Sequence, residues 1–114
     1  MNSLSITLIQ SNLYWEDISA NLDMFSSKIA PIKKDTDLIV LPETFSTGFS
    51  MHAQTQAEEM QHSKAMGWMR KTAREKNCVI TGSLMLKDKD KFFNRLVWMR
   101  PDGSYELYDK RHLF

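Results

Sequence analysis

The segment Asp37-Leu-Ile-Val-Leu-Pro-Glu43 decides the fold class of this chain. Its apolar centre, residues 38–41, is short and contains β-branched side chains, a pattern typical of a strand buried on both faces of a sheet. Pro42 lacks the backbone N–H that a central strand needs, so we expect the strand to stop there. Glu43 therefore stands where a central strand gives way to a loop, a position at which functional side chains are common.

Helices and further strands are predicted on both sides of this segment. Apolar residues at spacings of three and four, from Trp15 to Ile32, are typical of one face of a helix. Pro101-Asp-Gly103 is a strong turn signal that joins the last two strands into a hairpin. The predicted elements are, in chain order, a strand over residues 4–10, a helix over 15–32, a strand over 37–41, a helix over about 56–76 with Met66, Met69 and Ala73 inward, and strands over 78–84, 92–99 and 105–108.

The order of these elements predicts an α/β fold. Strand, helix, strand, helix, strand is typical of a mostly parallel sheet with helical crossovers, followed here by an antiparallel carboxy-terminal hairpin. A parallel sheet needs both faces covered, and two helices cover essentially one. We therefore expect the second face to be buried by something outside residues 1–114.

Composition places the chain among globular proteins and argues against several function classes. With 114 residues it has the size of one small domain or part of one, and 42% hydrophobic and 25% charged residues are ordinary values. Fifteen basic and 14 acidic residues are interspersed, so neither nucleic-acid binding nor membrane binding is indicated. No apolar run is long enough to span a bilayer and no basic leader precedes the first strand, so a cytoplasmic location is expected.

Two segments together resemble the nitrilase superfamily of carbon-nitrogen hydrolases. The first is Leu38-Ile-Val-Leu-Pro-Glu-Thr-Phe-Ser-Thr-Gly-Phe-Ser-Met51, and the second is Tyr108-Asp-Lys-Arg-His-Leu-Phe114. In that family a strand ends in a Pro-Glu pair, and a Tyr-x-Lys segment follows a Pro-Asp-Gly hairpin. Phe93-Asn-Arg95 looks like the family's Asn-containing strand, so the resemblance covers essentially the whole chain. Gly48-Phe-Ser-Met51 and the Lys-Arg-His-Leu-Phe ending look closest to the omega-amidase branch, which hydrolyses side-chain amides of 2-oxo acids.

The resemblance implies roles for Glu43 and Lys110. Amide hydrolysis through a thioester needs a thiolate, a base that takes the thiol proton, and a positive group facing the developing oxyanion. Glu43 matches the family's base and Lys110 its oxyanion stabiliser. Burial would raise the pKa of Glu43 and a nearby lysine would lower it, so the sequence leaves the direction open.

The resemblance also implies that this chain is incomplete as an enzyme. The family's nucleophilic cysteine follows the lysine by a few tens of residues, whereas this sequence stops four residues after Lys110. Residues 1–114 are thus expected to form the amino-terminal part of a single domain with an α-β-β-α sandwich, inactive alone. The family needs no metal and no organic cofactor, and its members usually form homodimers or larger assemblies.

The sequence allows two roles for each of several other residues. Cys78 precedes the lysine and begins an apolar strand, so we expect a buried structural thiol rather than the nucleophile. For Phe45 and Phe49, the sequence does not distinguish between lining a substrate pocket and packing in the core. For Asn94 and Arg95, the two roles are orienting groups of the site, and capping the strand or lying on the surface.

Two further hypotheses follow from the residues. His52, His62 and His112 share no metal-ligand spacing, so solvent-exposed or hydrogen-bonded histidines are expected. Without the family context, Glu43 would be a loop residue and Lys110 part of a surface charge cluster. The competing function, favoured only by the chain length, is a noncatalytic α/β module that binds a partner through its uncovered sheet face.

Overall fold

A computed structural model describes residues 3–33, 35–50 and 52–110. The elements are, in chain order, β1 (Ile6–Leu8), α1 (Ile18–Ile29), β2 (Leu38–Val40), α2 (Ala53–Gln56), β3 (Glu58–Glu59), a 3-10 turn (Met60–His62), α3 (Lys64–Lys76), β4 (Val79–Asp88), β5 (Lys91–Met99) and β6 (Tyr105–Asp109). Each predicted strand and both predicted long helices are present. Met51, His112 and the rest of residues 111–114 lie outside the described residues.

The strands form one mixed sheet in the order β1-β2-β4-β5-β6, with the short β3 also paired to β4. The α/β class is confirmed, whereas the mostly parallel sheet is found only in part. The parallel pairings extend over two or three residues each, but the antiparallel pairings of β5 cover nine residues with β4 and five with β6. A tight turn explains the long antiparallel ladder, because Lys89 and Asp90 both have positive φ, 51° and 66°, the backbone that a two-residue hairpin turn requires.

The helices α1 and α3 cover one face of the sheet. Asp17 begins α1 by accepting a hydrogen bond from the backbone N–H of Ala20 at 3.0 Å, and Asn77 ends α3 in the left-handed conformation. The core between the helices and the sheet consists of buried apolar side chains, chiefly Leu22, Phe25, Ile29, Ile39, Phe45, Met66, Met69, Ala73, Ile80, Leu84, Leu86, Val97 and Met99. No helix among the described residues is both long and apolar enough to cross a membrane.

The predicted start of the second long helix is wrong. α3 begins at Lys64 rather than near residue 56, because the Glu58 carboxylate accepts hydrogen bonds from Ser63 Oγ at 2.8 Å and from the backbone N–H groups of Lys64 and Ala65 at 2.8 and 3.1 Å. Ser63 Oγ in turn accepts from the N–H of Met66. These bonds satisfy the free donors of the first helical turn and fix the boundary there. The predicted inward residues of α3 are buried.

The opposite face of the sheet carries exposed apolar side chains. We call it the bare face and define it by Ile6, Leu8, Leu96, Trp98 and Tyr108, which are 50, 69, 36, 38 and 60% exposed. The strand register places all five opposite the helix-covered side, since Ile6 and Leu8 alternate with Thr7, the partner of buried Ile39, and Leu96 and Trp98 alternate with Val97. Among the described residues, the helices thus cover one face only, as the sequence predicts.

Candidate active site

Glu43 lies at the carboxyl end of β2, where neighbouring strands pin the chain. The N–H of Leu41 donates to the carbonyl of Thr81 at 2.8 Å, and the N–H of Thr44 donates to Ser83 Oγ at 2.8 Å. Thr44 has a positive φ of 46°, an uncommon backbone for a β-branched residue. The turn that follows β2 is therefore held by β4, and it presents the Glu43 side chain outside the sheet.

Lys110 meets Glu43 from the carboxyl end of β6. Its Nζ lies 2.7 Å from Glu43 Oε1. Its backbone N–H donates to the carbonyl of Asn94 at 2.9 Å, and Asn94 Nδ2 donates to the same Glu43 oxygen at 3.0 Å. The expectation that Glu43 and Lys110 share one site is confirmed by these distances, and their catalytic roles remain predictions.

Lys110 and Asn94 decide the charge state of Glu43. The contact with Lys110 is the main cause that lowers the pKa of Glu43 below its ordinary value, and the hydrogen bond from Asn94 adds to it. Desolvation acts in the opposite direction but is weaker, because the Glu43 side chain is 57% exposed. In this chain Glu43 is thus an ionised carboxylate at neutral pH, the form that a general base requires.

Asn94 offers a second polar atom at this site. Because Nδ2 faces a carboxylate, the other amide atom is the acceptor Oδ1. Among the described residues, Asn94 Oδ1 is a buried side-chain atom without a hydrogen-bond partner. Buried acceptors are almost always paired, so a donor from outside the described residues would complete the site.

The two predicted aromatic residues have different surroundings. Phe45 is fully buried, with its ring centroid 5.8 Å from Phe25 and 5.7 Å from Trp68. Phe49 is 68% exposed, and its carbonyl accepts a hydrogen bond from Trp15 Nε1 at 3.0 Å. The core interpretation fits Phe45, whereas the exposed Phe49 ring lies outside the core.

Cys78 immediately precedes β4 and is buried, with 3% of its surface exposed. Burial raises the pKa of its thiol, because the thiolate would lose solvation. Both properties are those of a structural cysteine, as the sequence predicts.

A polar cluster outside this site was not predicted. Ser50 Oγ donates to Glu16 Oε2 at 2.5 Å, and His52 Nδ1 lies 2.6 Å from the same oxygen. The cluster links the turn before α1 to the segment before α2. These residues share no periodic pattern, so only the folded backbone brings them together. His52 is thereby hydrogen-bonded, as expected, and in the described part of the chain no three His, Cys, Asp or Glu residues are grouped as metal ligands.

Arg95 forms the other unforeseen contacts near the site. Its guanidinium bonds to Asp109, the residue before Lys110, and to Asp88 at the end of β4. The sequence left the role of Arg95 open because the two carboxylates come from different strands.

Comparison with known proteins shows the family of the chain. Residues 5–114 match the carbon-nitrogen hydrolase family. The chain belongs to that family. This carbon-nitrogen hydrolase is 40% identical over 114 residues to the omega-amidase YafV of Yersinia enterocolitica, covering 100% of this chain and 43% of that protein. It is 30% identical over 112 residues to an (R)-stereoselective amidase of Pseudomonas sp, covering 97% of this chain and 41% of that protein.

A solved structure is similar over the whole chain. XC1258 from Xanthomonas campestris, a CN-hydrolase superfamily protein, has a TM-score of 0.93 and 41% sequence identity, covering 100% of this chain and 43% of that one. The carbon-nitrogen hydrolase chain thus spans less than half the length of the relatives that it matches.

Proposed function

We propose that this carbon-nitrogen hydrolase supplies the general base and the oxyanion-stabilising cation of an amidase that releases ammonia from a small amide. The observation that carries the proposal is the contact between Glu43 and Lys110, two residues far apart in sequence that meet at 2.7 Å beyond the ends of two strands. The favoured substrates are side-chain amides of 2-oxo acids, since the chain is 40% identical to omega-amidase YafV throughout its length.

The proposed reaction uses a cysteine thiol from a segment beyond residue 114. Glu43 takes the thiol proton, and the resulting thiolate attacks the carbonyl carbon of the amide. Lys110 Nζ faces the negative oxygen of the tetrahedral intermediate. As the carbon–nitrogen bond breaks, the proton on Glu43 passes to the nitrogen, and ammonia leaves a thioester behind.

Hydrolysis of the thioester completes the cycle. Glu43, again ionised, takes a proton from water while the hydroxide attacks the thioester carbonyl beside Lys110. The carbon–sulfur bond then breaks, and the thiolate recovers the proton. The contacts with Lys110 and Asn94 keep Glu43 ionised at neutral pH, the form that accepts a proton at the start of each half of the cycle.

The test is ammonia release by the full-length protein, meaning the chain extended to the length of its omega-amidase relatives. Glu43→Gln removes the base while keeping the side-chain volume, and should lower kcat/KM by roughly 10²–10⁴-fold. Glu75→Gln is the matched control, since that glutamate is an exposed residue of α3, a helix that contributes no group to the site. It should leave turnover unchanged.

Two outcomes would contradict the proposal. Undiminished turnover by Glu43→Gln would remove Glu43 from the chemistry. Absence of ammonia release from a panel of small amides and 2-oxo acid amides would favour the noncatalytic module instead. Assembly into homo-oligomers and a cytoplasmic location stay predictions from the sequence.

A further inference from the structure

Arg95 is a buried cation next to Asn94 in the sequence, and the proposed reaction does not use it. Only 7% of its side chain is exposed. Its Nε and Nη2 donate to Asp109 Oδ1 and Oδ2 at 2.5 and 3.1 Å, and its Nη1 donates to Asp88 Oδ2 at 3.0 Å. The Phe93 ring lies 4.4 Å from the guanidinium carbon. We call the two bonds to Asp109 the clamp.

The clamp fixes one side chain of β6 in orientation as well as position. A guanidinium engages both oxygens of a carboxylate in a planar fork, which restricts rotation in a way that a single ammonium contact does not. Burying a charge is costly unless it is paired, so the two carboxylates are what allow Arg95 to lie inside the protein.

Asp109 is the residue before Lys110, so restraining Asp109 also restrains the backbone from which the Lys110 side chain extends. Arg95 lies directly opposite Asp109 in the β5–β6 register. The next backbone group is also held, because the N–H of Lys110 donates to the carbonyl of Asn94 at 2.9 Å. Asn94 therefore restrains the backbone of Lys110, and Arg95 restrains Asp109. Together these two neighbours on β5 set where Lys110 lies relative to Glu43.

We propose that Arg95 is a positioning residue that, through its clamp on Asp109, sets the Lys110 ammonium against Glu43. The inference rests on the proposed function for its catalytic consequence, and it assigns Arg95 no contact with substrate. Its structural part concerns only the Glu43–Lys110 distance, which is measurable without turnover.

The ionisation of Glu43 reports on this distance. Among the described residues, the groups that face its carboxylate are Lys110, from the end of β6, and Asn94, from β5. Lys110 is the larger cause that lowers the pKa of Glu43. If the clamp is released and the ammonium moves away, the pKa of Glu43 rises, and the acid limb of kcat/KM moves to higher pH.

Two nearly isosteric variants of the full-length protein separate positioning from general stabilisation. Asp109→Asn breaks the charged fork beside Lys110, whereas Asp88→Asn removes the other carboxylate of the same guanidinium and leaves the fork intact. The pKa of Glu43 is measured by carbon-13 NMR titration of its carboxyl group, and kcat/KM is followed over pH. Asp109→Asn should raise that pKa and lower kcat about tenfold or more, because small displacements of catalytic groups are costly. Asp88→Asn should change neither.

Arg95→Lys provides a second route to the same answer if Asp109→Asn fails to fold. It keeps the buried charge but cannot form the fork, so it should raise the pKa of Glu43 and reduce kcat as Asp109→Asn does. Equal effects of Asp88→Asn and Asp109→Asn, or an unchanged Glu43 titration in Asp109→Asn and Arg95→Lys, would overturn the proposal. A wild-type protein without turnover would refute the proposed function alone, since the NMR titration still judges the clamp.

Discussion

Glu43 Oε1 accepts from both Lys110 Nζ, at 2.7 Å, and Asn94 Nδ2, at 3.0 Å. These contacts stabilise the charged form, so the folded-state pKa of Glu43 lies below the ordinary value of a glutamate. A carboxylate with a depressed folded pKa stabilises the fold above its unfolded pKa and loses that contribution as pH falls through the folded value. The effect is small for an exposed pair.

Lys110→Met should therefore raise the pKa of Glu43 and weaken the protein only where Glu43 is ionised. The difference in unfolding free energy from wild type should be largest near neutral pH, and should shrink as pH falls through the lowered pKa. Urea denaturation at several pH values measures it. Lys87→Met is the control, because the 3.7 Å pair of Lys87 with Glu59 lies away from Glu43. A difference that grows at low pH would have the wrong sign for this ion pair.

Cys78 should react slowly with thiol reagents in the folded protein. It is 3% exposed, and burial raises its pKa, so both access and thiolate population are low. A cysteine introduced at the exposed position 54 (Gln54→Cys), in a Cys78→Ala background, should be labelled much faster at neutral pH. Cys78→Ala alone should keep amide turnover in the full-length protein. Rapid labelling of Cys78 together with loss of turnover on its replacement would make it the nucleophile.

At the residue scale, the sequence could predict the meeting of Glu43 and Lys110 because both follow strands whose ends lie at one edge of the sheet. It could not choose a role for Arg95, since its partners Asp88 and Asp109 are brought together by the β4–β5–β6 register. Nor could it distinguish Phe45 from Phe49, because the turn after β2 has no periodic pattern. Their burial depends on how that turn packs.

At the level of single elements, α3 shows that apolar periodicity predicts the buried side of a helix but not the residue at which the helix begins. The pattern correctly predicts which side of α3 is buried, but it places the start too early. Glu58 turns back to accept from three donors at the first helical turn, and this capping is side-chain chemistry that hydrophobic spacing does not register. The predicted end of the strand at residue 84 is also too early, because β4 continues to Asp88.

Ser63→Ala should destabilise the protein through the start of α3. Ser63 Oγ accepts from the Met66 N–H at 3.0 Å and donates to Glu58, and loss of such a cap costs about 1 kcal/mol. Chemical denaturation of the full-length protein measures the loss. Ser27→Ala is the control, since Ser27 is an exposed interior residue of α1, where alanine is the better helix former. Equal stability of the two variants would show that the cap contributes nothing.

Gly82 and Gly67 should respond oppositely to alanine. A Cβ at Gly82, in β4, would lie 2.8 Å from Phe45 Cδ1 and 3.0 Å from Leu41 Cβ, so Gly82→Ala forces a buried ring to move. Overpacking of this kind costs about 1–3 kcal/mol. A Cβ at Gly67, in α3, meets nothing within 4 Å, and Gly67→Ala should stabilise the helix by about 0.4–1 kcal/mol. Thermal melts of both variants test the pair, and stabilisation by Gly82→Ala would contradict the packing described.

At the scale of the whole molecule, element order sufficed to predict a sheet covered by helices on one face. It was a poorer guide to the share of parallel pairing, because the order of the elements says nothing about the length of each strand. β4 and β5 extend over ten and nine residues, whereas β1 and β2 have three each. The antiparallel ladder therefore dominates a sheet whose first half is parallel.

The bare face should decide whether the isolated chain self-associates. Leu8 is 69% and Trp98 38% exposed there, and contiguous apolar surface on a sheet drives association when nothing covers it. The isolated 114-residue chain should self-associate and bind hydrophobic dyes, and Leu8→Lys with Trp98→Lys should reduce both effects in size-exclusion and fluorescence measurements.

The same two substitutions should have the opposite consequence in the full-length protein. If a second sheet from beyond residue 114 packs on the bare face, buried lysines there would destabilise the protein, because an unpaired charge is costly in an apolar interface. Tyr14→Lys is the control in both forms, since Tyr14 is 55% exposed in the loop before α1. A 114-residue chain that stays monomeric without binding dye, or a full-length protein whose melting temperature the double variant leaves unchanged, would show that the bare face is an ordinary solvent surface.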